Sequence, residues 1–431
     1  MKKNVLLTRG GTAMVTVCQV GQALAGAIER RMCTFRPRQL RRRGHTDMAG
    51  NEPPQHREWP CAVAQGIEIK ELDGLQKGEM LGASPFFYVL RDFMAVRHRR
   101  IQWSCCFCRD EMEEKPVKLS LAPMEGITGP VFRKAHASCF GALDSCYLPF
   151  IAPAHPGKAF TEKTLKALGK QDGRSVIPQL LTKDADDFVW TAGLLAELGY
   201  SEVNLNLGCP SGTVVAKGKG AGLLRDAEGL ERFLQDICAR SPLPVSVKTR
   251  LGLADVGEYG RILAVLCRCP LKELIVHPRV RTELYRGTPH LSCYGETLEK
   301  APFPVAYSGD IFSVADFEEL LRSYPATTHV LLGRGILANP ALGRMLKGGP
   351  AATAEEIREF HDKLFEGYEE EMGGNALFRM KEWWSYARFA FADPQKVWRL
   401  VRKVRKADEY EKAVERIFNG VELADEAVYR P

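Results

Sequence analysis

No stretch of this 431-residue sequence reaches about 18 unbroken apolar residues, which argues against a membrane-spanning helix. A disulfide framework is missing as well. The 13 cysteines are odd in number, and most lie inside apolar runs, a usage that suits a reducing cytosol. Cys105, Cys106 and Cys108 form the one dense cluster, but no second pair stands at zinc spacing, so no metal site is expected. Neither a Walker loop nor a G-x-G-x-x-G fingerprint follows the first strand-like run, which removes the commonest nucleotide folds. The net charge of +7 carries little information. Residues 1–112 hold 18 Lys+Arg against 11 Asp+Glu, and residues 113–431 hold 42 of each. Only local patches can therefore point to a charged partner.

Residues 1–112 lack a sustained helical or strand period. Arg-rich knots such as Arg41-Arg42-Arg43 alternate there with short apolar pieces. Lys2-Lys3 and the apolar stretch from Thr12 to Ile28 faintly resemble a signal peptide, but Arg9, Gln19 and Gln22 interrupt it. We expect a poorly ordered extension, or sequence upstream of the true start, because Met112 opens what looks like a normal protein beginning.

From Val117 the pattern changes. Short β-rich runs recur at Val117–Ala122, Leu143–Leu148, Ser175–Leu180, Glu202–Leu207, Val245–Thr249, Glu273–His277, Pro304–Tyr307 and His329–Gly333. Helical patterns such as Asp184–Leu198, Ala227–Cys238 and Val314–Arg322 lie between them. Eight strands alternating with helices imply parallel pairing and an α/β fold, a closed (β/α)8 TIM barrel over 113–350. After Gly349-Pro350 the strands stop. Residues 351–431 read as a small bundle of amphipathic helices, broken at Gly373-Gly374 and Asp393-Pro394.

In such a barrel the active site lies at the carboxyl ends of the strands. The fourth strand ends in Asn206-Leu207-Gly208-Cys209-Pro210, a thiol on a turn where glycine permits close approach and proline adds stiffness. The run Lys217-Gly218-Lys219-Gly220-Ala221-Gly222 downstream reads as a lid or a phosphate-facing loop. Strand five ends in Lys248-Thr249-Arg250 and strand six in His277, with Arg279, Arg281 and Arg286 following. Ser308-Gly309-Asp310 and Gly333-Arg334 close strands seven and eight, where barrels commonly hold a phosphate; FMN is the natural candidate.

Taken together, LAPMEGIT, PQLL, NLNLGCPSGTV with GAGLL, VSVKTRLG, IVHPRVRTELYRG, YSGDI and LLGRGILANP resemble the tRNA-dihydrouridine synthase family. They occur in the family's order over roughly 117–345, and RMKEWW at 379–384 is similar to its helical C-terminal domain. The resemblance implies FMN, reduced by NADPH, passing hydride to C6 of a tRNA uracil while Cys209 protonates C5. It implies flavin contacts from Pro123, Met124, Glu125, Gln179, Lys248 and His277, and a phosphate grip from Ser308, Gly309, Asp310, Gly333 and Arg334. Asn206 and Arg250 match residues that face the flipped base. Two positions depart from the pattern: Ser308 stands where Asn is common, and Pro278 where Gly is common.

Residues 376–406 contain nine Lys+Arg against Glu382 and Asp393, interleaved with aromatics that we assign to the bundle core. Arg399, Arg402, Lys403, Arg405 and Lys406 are the candidate RNA-backbone contacts on a helix face. The expectation is a cytoplasmic, monomeric, tRNA-binding flavoenzyme without metal or membrane partner. A flavin barrel reducing a free small molecule is the rival reading, and the basic tail argues against it.

Overall fold

Leu119 and Leu121 of the first barrel strand face outward into helices, while Ser120 and Ala122 face inward, the two-residue alternation that a half-turn strand imposes. The computed structural model describes residues 116–169 and 175–430, together with four short strands at Val5–Leu6, Met14–Val17, Cys33–Phe35 and Cys105–Cys106. Those four pair antiparallel in chain order. The rest of the 1–112 extension lies outside the described residues, as do the side chains of the Cys105–Cys108 cluster. Contacts group Pro116–Pro431 as one unit.

Within that unit the strands are β1 (Lys118–Leu121), β2 (Ser145–Tyr147), β3 (Ser175–Ile177 and Gln179–Leu180), β4 (Val203–Leu207), β5 (Val245–Arg250), β6 (Leu274–His277), β7 (Val305–Tyr307) and β8 (His329–Leu332). All pair in parallel, and β8 returns to β1, with His329 opposite Lys118. Strand β3 is split because Pro178 has no N–H to give the ladder. Its first half pairs with β2 and its second with β4, and the Pro178 carbonyl accepts from Asn204 N at 2.9 Å. The circle is thereby closed, as the eight alternating runs predicted, with ends shifted by a residue or two.

After the strands come α1 (Pro130–Cys139), α2 (Glu162–Leu168), α3 (Ala185–Glu197), α4 (Ala227–Arg240), α5 (Tyr259–Cys267), α6 (Leu291–Lys300), α7 (Val314–Ser323) and α8 (Arg334–Ala338). Side-chain oxygens of Asp184, Asp226 and Ser313 cap α3, α4 and α7 by accepting N–H groups that have no helical partner. Parity along the strands decides what enters the barrel. Leu205, Leu207, Val245, Val247, Leu274 and Val276 pack outward, whereas Ala122, Tyr147, Ile177, Ile275, Ala306 and Leu331 form a separate inner cluster. The same parity puts Asn204, Asn206, Ser246, Lys248, Arg250 and His277 inside.

The helical region consists of α9 (Ala354–Met372), α10 (Ala376–Ala387), α11 (Pro394–Val401) and α12 (Ala407–Gly420). A capping box between Thr353 and Glu356 starts α9, and Arg344 holds the same carboxylate through two bonds of 2.7 and 2.8 Å. Trp383 and Trp384 are almost fully buried, which fits their expected core duty, but Phe378 is 62% exposed. The basic segment also differs from expectation. Arg399 is helical, but Arg402–Lys406 forms the link between α11 and α12. Like charges at spacings of three and four disfavour a helix there. Among the described residues no helix is long and apolar enough to cross a membrane.

Candidate active site

Strand register brings the inward polar side chains into rows. Asn204 lies opposite Gln179 and Ser246, Asn206 opposite Lys248, and Arg250 opposite His277. Gln179 bridges two asparagines, donating to Asn204 Oδ1 at 2.8 Å and accepting from Asn206 Nδ2 at 2.7 Å. The other end of Asn206 is committed too. Its Oδ1 accepts the backbone N–H of Gly208 at 3.1 Å and of Cys209 at 2.8 Å. Arg250 completes the turn from the neighbouring strand, with Nε donating to the Gly208 carbonyl at 3.1 Å and Nη1 to that of Val280 at 3.1 Å. Cys209 is thus half-buried on a turn fixed by two buried side chains.

The glycine run after it differs from the expected lid. Gly220, Ala221 and Gly222 are buried in a short 3-10 helix, and Ala221 N donates to the Cys209 carbonyl at 3.2 Å. A Cβ on Gly220 would stand 2.9 Å from Cys209 Cβ, and one on Gly222 would stand 2.8 Å from the Val215 carbonyl oxygen. These glycines allow the chain to pack under the thiol. Burial pushes the Cys209 thiol above its ordinary pKa; a Ser211 N–H opposes this, Glu125 adds to it and Arg250 opposes it. The thiol is therefore protonated at neutral pH, a state from which it can donate.

Beside this turn a cavity is lined by Pro123, Met124, Lys248, His277, Tyr285, Ser308, Gly309, Asp310, Gly333 and Arg334. Burial lowers the Lys248 ammonium to about 7, with Arg250 acting in the same direction. No side-chain hydrogen bond or ion pair engages Lys248 among the described residues. His277 is held far below its usual range, first by burial and then by Arg250, Lys248, Arg279 and Arg334. Its Nε2 lies 3.3 Å from Arg279 Nη1. Because a guanidinium can only donate, Nε2 accepts and the neutral ring carries its proton on Nδ1.

Arg279 is fully buried and organises the floor. It binds both Asp310 oxygens at 3.0 and 2.6 Å and also reaches the carbonyls of Arg286 and Gly287. Asp310 accepts a further bond from Arg334 Nη2 at 2.5 Å. Its carboxylate is thus neutralised by two arginines instead of facing the cavity as a free charge. Gly309 has no room for a Cβ, which would collide with the Tyr307 hydroxyl, and one on Gly333 would meet Met124 Sδ at 3.4 Å.

Among the residues expected to meet a flavin, Glu125 and Gln179 do not line this cavity. Glu125 is exposed at its edge, and Gln179 is wholly buried beneath it. Arg399, Arg402, Lys403, Arg405 and Lys406 are exposed, and none makes an ion pair among the described residues. Tyr285 was not singled out from the sequence, although it occurs in the run VHPRVRTELYRG. Its ring lies 5.9 Å from His277, with the Arg250 and Arg334 guanidinium carbons 5.4 and 4.6 Å from its centroid. Only the folded loop reveals this roof of stacked cations.

The chain is 28% identical over 317 residues to a tRNA-dihydrouridine(16) synthase of Neisseria meningitidis serogroup B, covering 69% of this chain and 93% of that protein. A Cupriavidus necator tRNA-dihydrouridine(16) synthase is 27% identical over 324 residues, covering 69% and 96%. A solved structure of a morphinone reductase mutant with tetrahydroNAD aligns with a TM-score of 0.39 and 10% identity, over 56% of this chain and 90% of that one. The family described as "Dihydrouridine synthase (Dus)" matches residues 120–422. The chain belongs to the dihydrouridine synthase family of oxidoreductases.

Proposed function

We propose that this protein reduces the C5=C6 bond of a uridine in tRNA to 5,6-dihydrouridine, with FMN as its cofactor and NADPH as the reductant. The observation that carries the reading is the Cys209 thiol on a turn locked by Asn206 and Arg250, beside a cationic cavity.

The cavity's chemistry fits FMN. Ser308, Gly309, Gly333 and Arg334 offer glycine-lined walls and a guanidinium for a phosphate monoester. Pro123 and Met124 present a flat, polarizable surface for a ring system, and Lys248 brings an amino group that no side chain among the described residues engages. Glu125 and Gln179 act from outside the cavity, Gln179 through its bonds to Asn204 and Asn206 and Glu125 through its charge beside Cys209. Asp310 serves by holding Arg334 and Arg279 in place. When bound and reduced, the flavin supplies the hydride equivalent for uracil C6. Cys209 then delivers a proton to C5, and Arg250 stabilises negative charge on the uracil carbonyl oxygens. His277 stays neutral and offers Nδ1–H as a donor.

A base inside a folded RNA reaches such a cavity only after it is turned out of its stack, so an adjoining surface must grip the backbone. Arg399, Arg402, Lys403, Arg405 and Lys406 are exposed cations of the kind that phosphates attract, and residues 351–431 are the proposed tRNA-binding part. The two synthases named above carry position 16 in their names, so uridine 16 is the first position to examine.

The test uses purified protein, FMN, NADPH and a tRNA transcript that lacks modification. One dihydrouridine formed per NADPH consumed supports the proposal, and mapping the reduced position assigns the site. Binding of FMN with no dihydrouridine in any tRNA, together with reduction of free enones, would favour a small-molecule reductase instead.

A further inference from the structure

We infer that the C-terminal tail supports the cofactor pocket from behind its lining, with Tyr429 as a positioning residue that holds the Arg334 guanidinium toward the flavin phosphate. The inference rests on the FMN reading above.

The tail is delivered to the barrel by backbone bonds. After α12 the chain turns back along the segment that follows α10. Ala392 N donates to the Glu422 carbonyl at 3.0 Å, Ala424 N donates to that of Ala390 at 2.9 Å, and Phe391 pairs with Leu423 in an antiparallel bridge. That zipper brings Tyr429 against three rings. Its centroid lies 5.3 Å from Phe312, 5.5 Å from Tyr386 and 5.3 Å from Phe389. Phe312 follows the Ser308-Gly309-Asp310 turn, so Tyr429 reaches the loop after β7 and, through Arg334, the start of α8.

Arg334 is where these contacts converge. Its guanidinium carbon stands 5.3 Å from the Tyr429 ring, 5.2 Å from Phe312 and 4.6 Å from Tyr285. A guanidinium has five N–H donors, and among the described residues only one side-chain bond, Nη2 to Asp310, uses any of them. Ring faces attract the cation without consuming its donors, so they orient it and leave its hydrogen bonds for a ligand. Asp310 is already paired with Arg279 through both oxygens, which leaves Arg334 with net attraction for an anion. Arg334 is 8% exposed and lines the cavity. A buried arginine held by ring faces with unused donors is suited to a phosphate monoester. Tyr429 contributes one of those faces from the far end of the chain.

Measuring FMN and riboflavin affinity side by side separates positioning from packing, because riboflavin has the same ring system without the phosphate. The full chain should bind FMN more tightly than riboflavin. Tyr429→Leu, which keeps bulk but has no ring face, should weaken FMN by about three- to tenfold. It should leave riboflavin affinity unchanged, and Tyr429→Ala should behave alike. Tyr429→Phe should retain the wild-type FMN affinity, since among the described residues no side-chain hydrogen bond involves the hydroxyl. In an Arg334→Ala background, Tyr429→Leu should have no further effect. Equal weakening of both flavins, or no change in FMN affinity, would overturn the inference while leaving the proposed function standing. A wild-type chain that binds neither flavin would overturn both.

Discussion

Asn206 Oδ1 accepts the backbone N–H of Cys209 at 2.8 Å while Asn206 Nδ2 donates to Gln179 at 2.7 Å. One buried amide thereby ties the thiol turn to the barrel interior. Alanine keeps the Cβ that packs against Gly220, so Cys209→Ala should keep flavin binding and NADPH oxidation by oxygen while dihydrouridine formation stops. Asn206→Ala leaves the Gly208 and Cys209 N–H groups without that acceptor. It should lower tRNA reduction more than tenfold with flavin content retained, a loss on the scale expected for a misplaced proton donor. Full tRNA reduction by Cys209→Ala would remove the thiol from the mechanism.

Lys248 should cost the flavin-free protein stability in a pH-dependent way. Its folded pKa of about 7 lies below its ordinary value near 10.5, so between those values the unfolded chain binds more protons. Stability then rises with pH across that window. Lys248→Met removes the penalty, and its gain should be largest at or below about pH 7 and vanish toward about pH 10.5. A gain of several degrees in melting temperature at the low end is the expected scale. Equal shifts at both ends would show that the ammonium is not desolvated.

The pair between Arg344 and Glu356 has the same pH sign, but it acts in the acid range and as a stabilisation instead of a penalty. The Arg344 guanidinium, whose bond outweighs the opposing effect of burial and is helped by the Thr353 N–H, holds the Glu356 carboxyl down at about 2 from an ordinary 4.5. Its contribution is complete above pH 4.5 and is lost as pH falls toward about 2. Both side chains are partly exposed, so we expect Arg344→Ala to cost about 1–2 kcal/mol at neutral pH. The difference from wild type should shrink on acidification, which urea midpoints at several pH values would reveal.

Changing Arg399, Arg402 and Arg405 to Gln should weaken tRNA binding irrespective of sequence. The log–log salt dependence should flatten by roughly 0.7–0.9 for each lost phosphate contact. Flavin content and NADPH oxidation without tRNA should not move. An unaltered slope would return these arginines to the role of a solvated surface.

Much of the site was legible because strand ends in an alternating β/α sequence carry function. The runs ending at Cys209, Lys248-Arg250, His277, Ser308-Gly309 and Gly333-Arg334 give both the barrel and most of its mouth. The run Lys217–Gly222 reads from sequence as a lid or a phosphate-facing loop, but flexibility and tight packing both call for glycine, and only the Cβ distances from Gly220 to Cys209 and from Gly222 to Val215 distinguish them.

Sequence by itself determined the period of the strands, the parity that turns Asn206, Lys248 and His277 inward, and the chemistry at the strand ends. Those are local properties, written in neighbouring residues. Tertiary structure alone decided that Tyr285 roofs two arginines, that Arg279 neutralises Asp310, and that Tyr429 returns to Arg334 across 95 residues of chain. Contacts of that kind depend on how a loop or a tail closes in space, and no periodicity along the chain records it.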